Sequence, residues 1–343
     1  DSSVVTQASK LRFRGDLDRR LQVELDTNDL DDLLPAAGYV SSEAPARLPV
    51  ALRNGSARFT GTVTGSLADP RVVGHLSIRN LEYRKRVFDQ VEADGAISRT
   101  NLQAARFLVK QAGASVEGEG RAALVEWRLD PASRVAGTIT LRGLSAARLL
   151  AESGSNVRIT GDLAGSFQLG GTAGQPELSG NATLAGGEVL GQRLSLARAQ
   201  FRYASSALTL TSAEFAWGAA QIRASGRFIH QPEDWNSGAL QFQVSGKNAQ
   251  LSELAAAAGL PAELSGSMSA ELKGSASVAG PRFLVSDLQG TALVSRLGLG
   301  TQVAGDLRLT ARTDAGTAVI QAAGDLIGAK VKAEATCLLQ GQY

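Results

Sequence analysis

The side chains able to do chemistry are few and far apart. The chain carries two histidines, His75 and His230, and a lone cysteine, Cys337. A Cys/His zinc site, a CxxC redox pair and a disulfide framework each need more than this, so neither a metal site nor thiol chemistry is expected. A Ser/His/Asp triad would have to be built on one of two histidines 155 positions apart. No Gly-x-Ser-x-Gly elbow, P-loop or Gly-x-Gly-x-x-Gly fingerprint stands at a strand-to-helix junction to support hydrolysis or nucleotide binding, and both histidines are expected as surface residues at strand ends. Glu117 and Glu119 have the spacing of a carboxylate pair on one strand face. Their Glu-Gly-Glu-Gly setting reads instead as a solvated strand end. Trp127, Trp217 and Trp235 could make an aromatic platform for sugars, but they are scattered over separate segments. Arg14-Gly15-Asp16, Asn54-Gly55-Ser56 and Asn181-Ala182-Thr183 spell an adhesion tripeptide and two glycosylation sequons; all three are expected to be turns. Net charge is +2, from 35 basic and 33 acidic residues, and the densest basic run is Arg84-Lys85-Arg86. That is too little for a nucleic-acid footprint. These residues point to a non-enzymatic protein without a cofactor.

The elements that would carry them repeat. Pro70, Pro176 and Pro281 are separated by 106 and 105 residues, and each follows a segment of period-two alternation: Phe59 to Leu67, Ile159 to Phe167, and Leu264 to Leu272. Alternation of this kind marks strands with one dry and one wet face. Shorter strands are expected at Leu21–Leu25, Gly74–Ile78, Gly137–Leu141, Leu208–Thr211, Leu240–Val244 and Leu307–Thr310, joined by Gly, Asn and Asp turns. Helical spacing occurs at Asn28–Pro35, Gly143–Leu150 and Gln250–Gly259, with Asp29, Ser145 and Ser252 as capping residues. Helices of two or three turns must dock on something to persist. The expected chain is one continuous array over 1–343, with approximate repeats 1–135, 136–243 and 244–343.

Aromatics make up 5 % of the residues, whereas there are 38 glycines. The dry face alternates Gly or Ala with Leu, Val, Ile or Phe, which suits a bent sheet approached closely by a ligand. The fold expected is all-β with a few short helices: a long curved antiparallel sheet forming a U-shaped, taco-like hydrophobic groove of about three repeats. Phe59, Val63, Leu67, Ile159, Leu163, Phe167, Leu169, Leu240, Phe242, Val244, Leu264, Met268 and Leu272 are the candidate lining residues. An aliphatic trough selects acyl chains and offers nothing to orient a polar substrate. The competing expectation is a filled β-solenoid or sandwich, a structural or adhesive module that presents loops to a protein or polysaccharide.

Phrases such as Leu169-Gly170-Gly171-Thr172-Ala173-Gly174-Gln175-Pro176-Glu177-Leu178-Ser179-Gly180 and Val63-Thr64-Gly65-Ser66-Leu67-Ala68-Asp69-Pro70-Arg71 resemble the TamB family of AsmA-like proteins, the inner-membrane component of the translocation and assembly module of diderm bacteria. A degraded third copy runs from Gly274 to Gly290. The resemblance implies a periplasmic β-groove that conducts phospholipid acyl chains between inner and outer membranes and supports outer-membrane protein assembly. It implies an inner-membrane anchor absent from this chain, and a BamA-like outer-membrane barrel as a partner reached through regions outside it. The scarcity of Cys agrees with an oxidising compartment. Because the sequence starts at Asp1 without a signal-peptide pattern, it is expected to be a processed or excised part of a longer protein.

Overall fold

The computed structural model describes residues 1–16, 19–34, 48–66, 69–152, 159–189, 192–232, 234–257, 264–280, 282–300, 302–314 and 316–339. Alternation becomes strand almost everywhere: among the described residues 21 strands belong to one antiparallel sheet. Packing divides the chain into two compact units, Asp1–Leu144 with Gly165–Leu178, and Ser145–Ala164 with Ser179–Tyr343.

The first unit is a meander of β1 (Ser2–Val5), β2 (Ser9–Asp16), β3 (Arg20–Thr27), β4 (Val50–Ser66), β5 (Asp69–Tyr83), β6 (Arg86–Ile97), β7 (Asn101–Gln111), β8 (Ala114–Ala123) and β9 (Val135–Ser145). Each strand pairs antiparallel with the next. Two strands contribute to both units, β10 (Ile159–Gly171) and β11 (Pro176–Val189). The second unit continues with β12 (Gln192–Arg193), β13 (Leu196–Ala204), β14 (Ala207–Trp217), β15 (Ala220–Gln231), β16 (Asp234–Gln250), β17 (Leu264–Ala279), β18 (Arg282–Leu299), β19 (Gln302–Asp314), β20 (Thr317–Leu326) and β21 (Ala329–Leu338). From β13 to β21 each strand again pairs with its successor.

Several strands are much longer than the usual five or six residues; β4 has 17, β17 has 16 and β18 has 18. Bulges bend such long strands and increase their local twist. The ladders slip between Leu52 and Ser56 and between Gly246 and Ala249, beside Asn54 and Asn248, which hold φ of 51° and 56°. Asparagine tolerates that left-handed region better than branched residues do. Asn54-Gly55-Ser56 is therefore a bulge inside β4, Asn181-Ala182-Thr183 lies within β11, and Arg14-Gly15-Asp16 ends β2; none is a free turn. Glycine at positive φ stands in the turns at Gly113, Gly218, Gly280, Gly300 and Gly328, as expected; Arg84-Lys85 and Ser205-Ser206 instead adopt positive φ at both central positions without glycine, the geometry of the tight turn whose twist matches its strands.

The three helix patterns are met by helical turns within the described residues. The first is a 3-10 turn, Leu30–Leu33, capped by Asp29, whose carboxylate accepts the Asp31 N–H at 3.0 Å. The second is α1 (Ala146–Glu152), where Ser145 Oγ accepts from the Arg148 amide at 3.4 Å. The third is α2 (Leu251–Ala257); Ser252 lies inside it rather than capping it. The expected ends at Pro35 and Gly259, and the proline landmark Pro281, lie outside the described residues. The α2 helix is tied to the sheet by Trp217, whose indole N–H donates to Glu253 Oε2 at 2.9 Å.

Candidate functional site: an apolar sheet face

Because side chains alternate across a sheet, residues paired in register and two apart share a face. In the first unit the register lines up Leu25, Phe59, Leu76, Ala93, Phe107, Gly118 and Ile139 across seven successive strands. Four positions along, Leu21, Val63, Val72 and Ile97 continue into Leu102, Ala122 and Val135 on the far side of a glycine row. That row contains Gly61, Gly74, Gly95, Gly120 and Gly137. On the other side of the first ladder run Ala57, Ile78, Val91, Val109, Val116 and Leu141. Strands about 4.8 Å apart and rows about 6.6 Å apart make this face on the order of 30 by 20 Å over the seven strands β3 to β9.

The glycines let the large side chains lie down on the sheet. A Cβ on Gly61 or Gly74 would meet the Phe59 ring at 2.5 or 2.7 Å, and one on Gly118 would meet the Phe107 ring at 3.0 Å. The same device recurs in the second unit, where Phe242 covers Gly274, Phe228 covers Gly238 and Leu272 covers Gly290. Rings that cover bare backbone replace a second layer of packing. Among the described residues no large side chain is fully buried, and the buried apolar set is mostly alanine, such as Ala57, Ala213, Ala220 and Ala318.

The second unit has equivalent ladders. Phe201, Leu210, Gly226, Phe242 and Gly274 form one, and Ala213, Ala224, Val244, Leu272 and Gly290 another. Met268 stands between Ala249 and Val294, and Leu264 opposite Leu299. Thus Phe59 and Val63 fall on the apolar face of the first unit, and Leu240, Phe242, Val244, Met268 and Leu272 on that of the second. Ile159 and Leu163 occupy the part of β10 in the second unit, Phe167 and Leu169 the part in the first. All of these, with Leu264, are half-buried. Leu67 lies outside the described residues. Leu25, Leu76 and Ile139 share the Phe59 ladder, although the sequence marks only their strands. Phe107 and Val91 also belong to the face, and their signal was the same alternation in β6 and β7.

The opposite face is polar and laced by cross-strand ion pairs. Arg58 Nε lies 2.5 Å from Asp26, Arg12 3.3 Å from Glu24, and Arg198 2.5 Å from Glu214, which also receives Arg223 at 3.4 Å. The Asp26 carboxylate, through its hydrogen bond and charge, raises the Arg58 pKa above its ordinary value. Glu117 and Glu119 belong to this face in the middle of β8, not at a strand end, and Glu117 pairs with Arg142. His75 likewise sits mid-strand in β5, with Nδ1 2.7 Å from Asp94 Oδ1.

His230 overturns the expectation of a surface position. It is 5 % exposed, because its ring is enclosed by aromatic neighbours: Trp235 at 4.1 Å between centroids, Tyr203 and Phe228 each at 5.8 Å. Tyr203 and Trp235 also stack on each other at 5.0 Å. Hairpin pairing brings together rings that are dispersed in the sequence, so Trp235 belongs to a cluster after all. Nearby, Asp234 accepts from the Ser237 hydroxyl and from the Asn236 amide at 2.9 Å. These bonds hold its carboxyl below the usual carboxylate range.

Among the described residues no cluster of His, Cys, Asp or Glu is placed to hold a metal ion, and no helix is long and apolar enough to cross a membrane. No protein-family model, no curated protein and no solved structure matches the chain.

Proposed function

We propose that the chain is a non-enzymatic lipid conduit that holds phospholipid acyl chains on its apolar sheet face while the headgroups remain at the polar lip. In this reading the sheet bends into a U-shaped groove of about three repeats, and the protein works in the periplasm. It is held at the inner membrane by a segment outside this chain and meets an outer-membrane barrel of the BamA type. The observation that carries the reading is the run of in-register, mostly half-buried aliphatic ladders in which, among the described residues, no large side chain is fully buried. A filled interior would instead bury bulky side chains completely. Aliphatic walls recognise methylene chains by burial alone, about 0.8 kcal/mol per CH2, without selecting a headgroup.

The resemblance to the TamB family supports the compartment and a route between the two membranes. Mass spectrometry of an organic extract of the purified protein tests the reading: phospholipid is expected to co-purify. Protein that is folded, free of lipid and unable to take up lipid from vesicles would overturn it.

A further inference from the structure

Among the described residues, one buried side-chain polar atom lacks a hydrogen-bond partner, His230 Nε2. Its chemical state follows from the other nitrogen. Nδ1 lies 2.7 Å from the Gln231 carbonyl oxygen, which can only accept, so Nδ1 carries the proton and donates. In the neutral ring Nε2 is then a lone-pair acceptor. A buried acceptor with no donor is destabilising unless something else supplies one. The surroundings do not: the imidazole is stacked among Trp235, Tyr203 and Phe228. The adjacent Asp234 carboxylate is engaged by Ser237 and Asn236, and is itself an acceptor.

The chemistry of the missing donor is restricted. A metal ion would need further ligands, and no suitable group of them exists among the described residues. An anionic oxygen would set acceptor against acceptor. An ammonium would lose its hydration for a single acceptor. A hydroxyl needs one acceptor and tolerates ring faces around it. The position is also restricted. His230 pairs with Gly238, and Gly238 with Val278, one row beyond Phe228, Leu240 and Ala276. The acceptor therefore stands at the end of the apolar face of the second unit. Trp235 is stacked on the imidazole at 4.1 Å between centroids and is itself 53 % exposed.

We infer that His230 Nε2 receives a hydroxyl from the polar head of an amphiphile whose chain lies on the adjoining apolar rows. The inference rests on the acyl-binding reading and adds to it a class of headgroup, a hydroxylated one.

The test compares dihexanoyl phosphatidylglycerol with dihexanoyl phosphatidylpropanol, which match in charge and chains and differ in the headgroup hydroxyls. The Nε2 signal is followed by nitrogen NMR in the His75→Gln protein, which leaves one histidine, and affinity is followed by calorimetry. Phosphatidylglycerol is expected to shift Nε2 and to bind roughly three- to tenfold more tightly, as one neutral hydrogen bond allows. His230→Phe, which keeps the ring and removes the acceptor, should bind both lipids equally. Equal binding by the parent with an unmoved Nε2 would overturn the inference and leave the atom satisfied by water alone. So would a preference that survives in folded His230→Phe. If that variant does not fold, the nitrogen signal of the parent decides. An equal Nε2 response to dihexanoyl phosphatidylethanolamine would replace the hydroxyl with an N–H donor and overturn the assignment. Glycerophosphoglycerol, which has no acyl chains, separates the two readings. If it shifts Nε2 while the lipids bind no better than it does, the hydroxyl site stands and the acyl-binding reading falls. Tight, equal binding of both lipids with no Nε2 shift gives the reverse.

Discussion

Replacing Leu272 by Asp sets a charge on the apolar face at a position where the consequences can be worked out separately for the empty and the lipid-loaded protein. Leu272 is half-buried between Val244 and Gly290, and its Cδ1 reaches over the Gly290 backbone. Full burial of a leucine stabilises by about 1.5–3 kcal/mol, so losing half of that costs about 1 kcal/mol. The empty protein should fold, because the carboxylate can face water. With an acyl chain on the face, the same carboxylate loses its water without gaining a partner. That costs at least about 3 kcal/mol, equivalent to more than a hundredfold in lipid affinity.

The neighbouring residue supplies the control. Lys273 is exposed on the opposite face, paired with Gln243 and Gln289, so Lys273→Asp introduces an acid one residue away without touching the apolar ladder. Uptake of a fluorescent phospholipid from vesicles, with circular dichroism as the check on folding, reads both. Leu272→Asp should abolish uptake at pH 7 and recover part of it near pH 3, where an ordinary aspartate is protonated; Lys273→Asp should behave as the parent. Folded Leu272→Asp protein that carries lipid as fast as the parent would refute the acyl-face argument. Equal damage from Lys273→Asp would also refute it, since face would then be irrelevant.

Leu163→Asp should slow lipid transfer between vesicles in the same way if acyl chains slide over half-buried Leu163; folded protein that transfers lipid as fast as the parent would refute it. Gly74→Ala places a Cβ 2.6 Å from the Thr60 carbonyl oxygen and 2.7 Å from the Phe59 ring; a loss of about 1–3 kcal/mol is expected in urea unfolding, and an unchanged midpoint would show that the ring does not lie on this glycine. Asp32 accepts from the Thr6 and Ser9 hydroxyls at 2.6 and 2.9 Å, which lowers its folded pKa. Its contribution is therefore full above the unfolded value of about 3.9 and lost as pH falls through the folded one. Amide protection in β1 to β3 should drop over that acid window in the parent and show no such step in Asp32→Asn. Trp217→Phe removes the hydrogen bond that ties α2 to β14, and amide exchange in α2 should rise roughly tenfold, as expected for losing a bond to a charged group; unchanged exchange would mean that packing alone holds the helix.

Much of the strand architecture was legible because period-two alternation is a local property of the backbone. Phe59, Gly61 and Val63 declare their common face before any partner strand is known, and so do Leu240, Phe242 and Val244. The helices were legible as places on the chain: the patterns at Asn28–Pro35, Gly143–Leu150 and Gln250–Gly259 meet helical turns at Leu30–Leu33, Ala146–Glu152 and Leu251–Ala257. Their exact starts were less so, since Ser252 lies inside α2 rather than capping it. The hairpin turns were legible in part. Gly113, Gly218, Gly280, Gly300 and Gly328 stand in turns at positive φ as expected, but Asn54, Asn80 and Asn248 hold positive φ within β4, β5 and β16, and Arg84-Lys85 and Ser205-Ser206 make turns that no Gly, Asn or Asp marks.

What the sequence determined by itself is the presence of one sheet with a dry face and a wet face, and the poverty of its reactive groups, since alternation and composition are both properties of the bare chain. Register needed the tertiary structure. Only pairing shows that Phe59 lies over Gly74 from the next strand, that the Gly rows line up, and that Arg58 meets Asp26. The same pairing buries His230 among Tyr203, Phe228 and Trp235, residues that no spacing rule connects. Cross-strand neighbours are chosen by turn length and bulge position, and a shift of one residue would send each of these side chains to the other face.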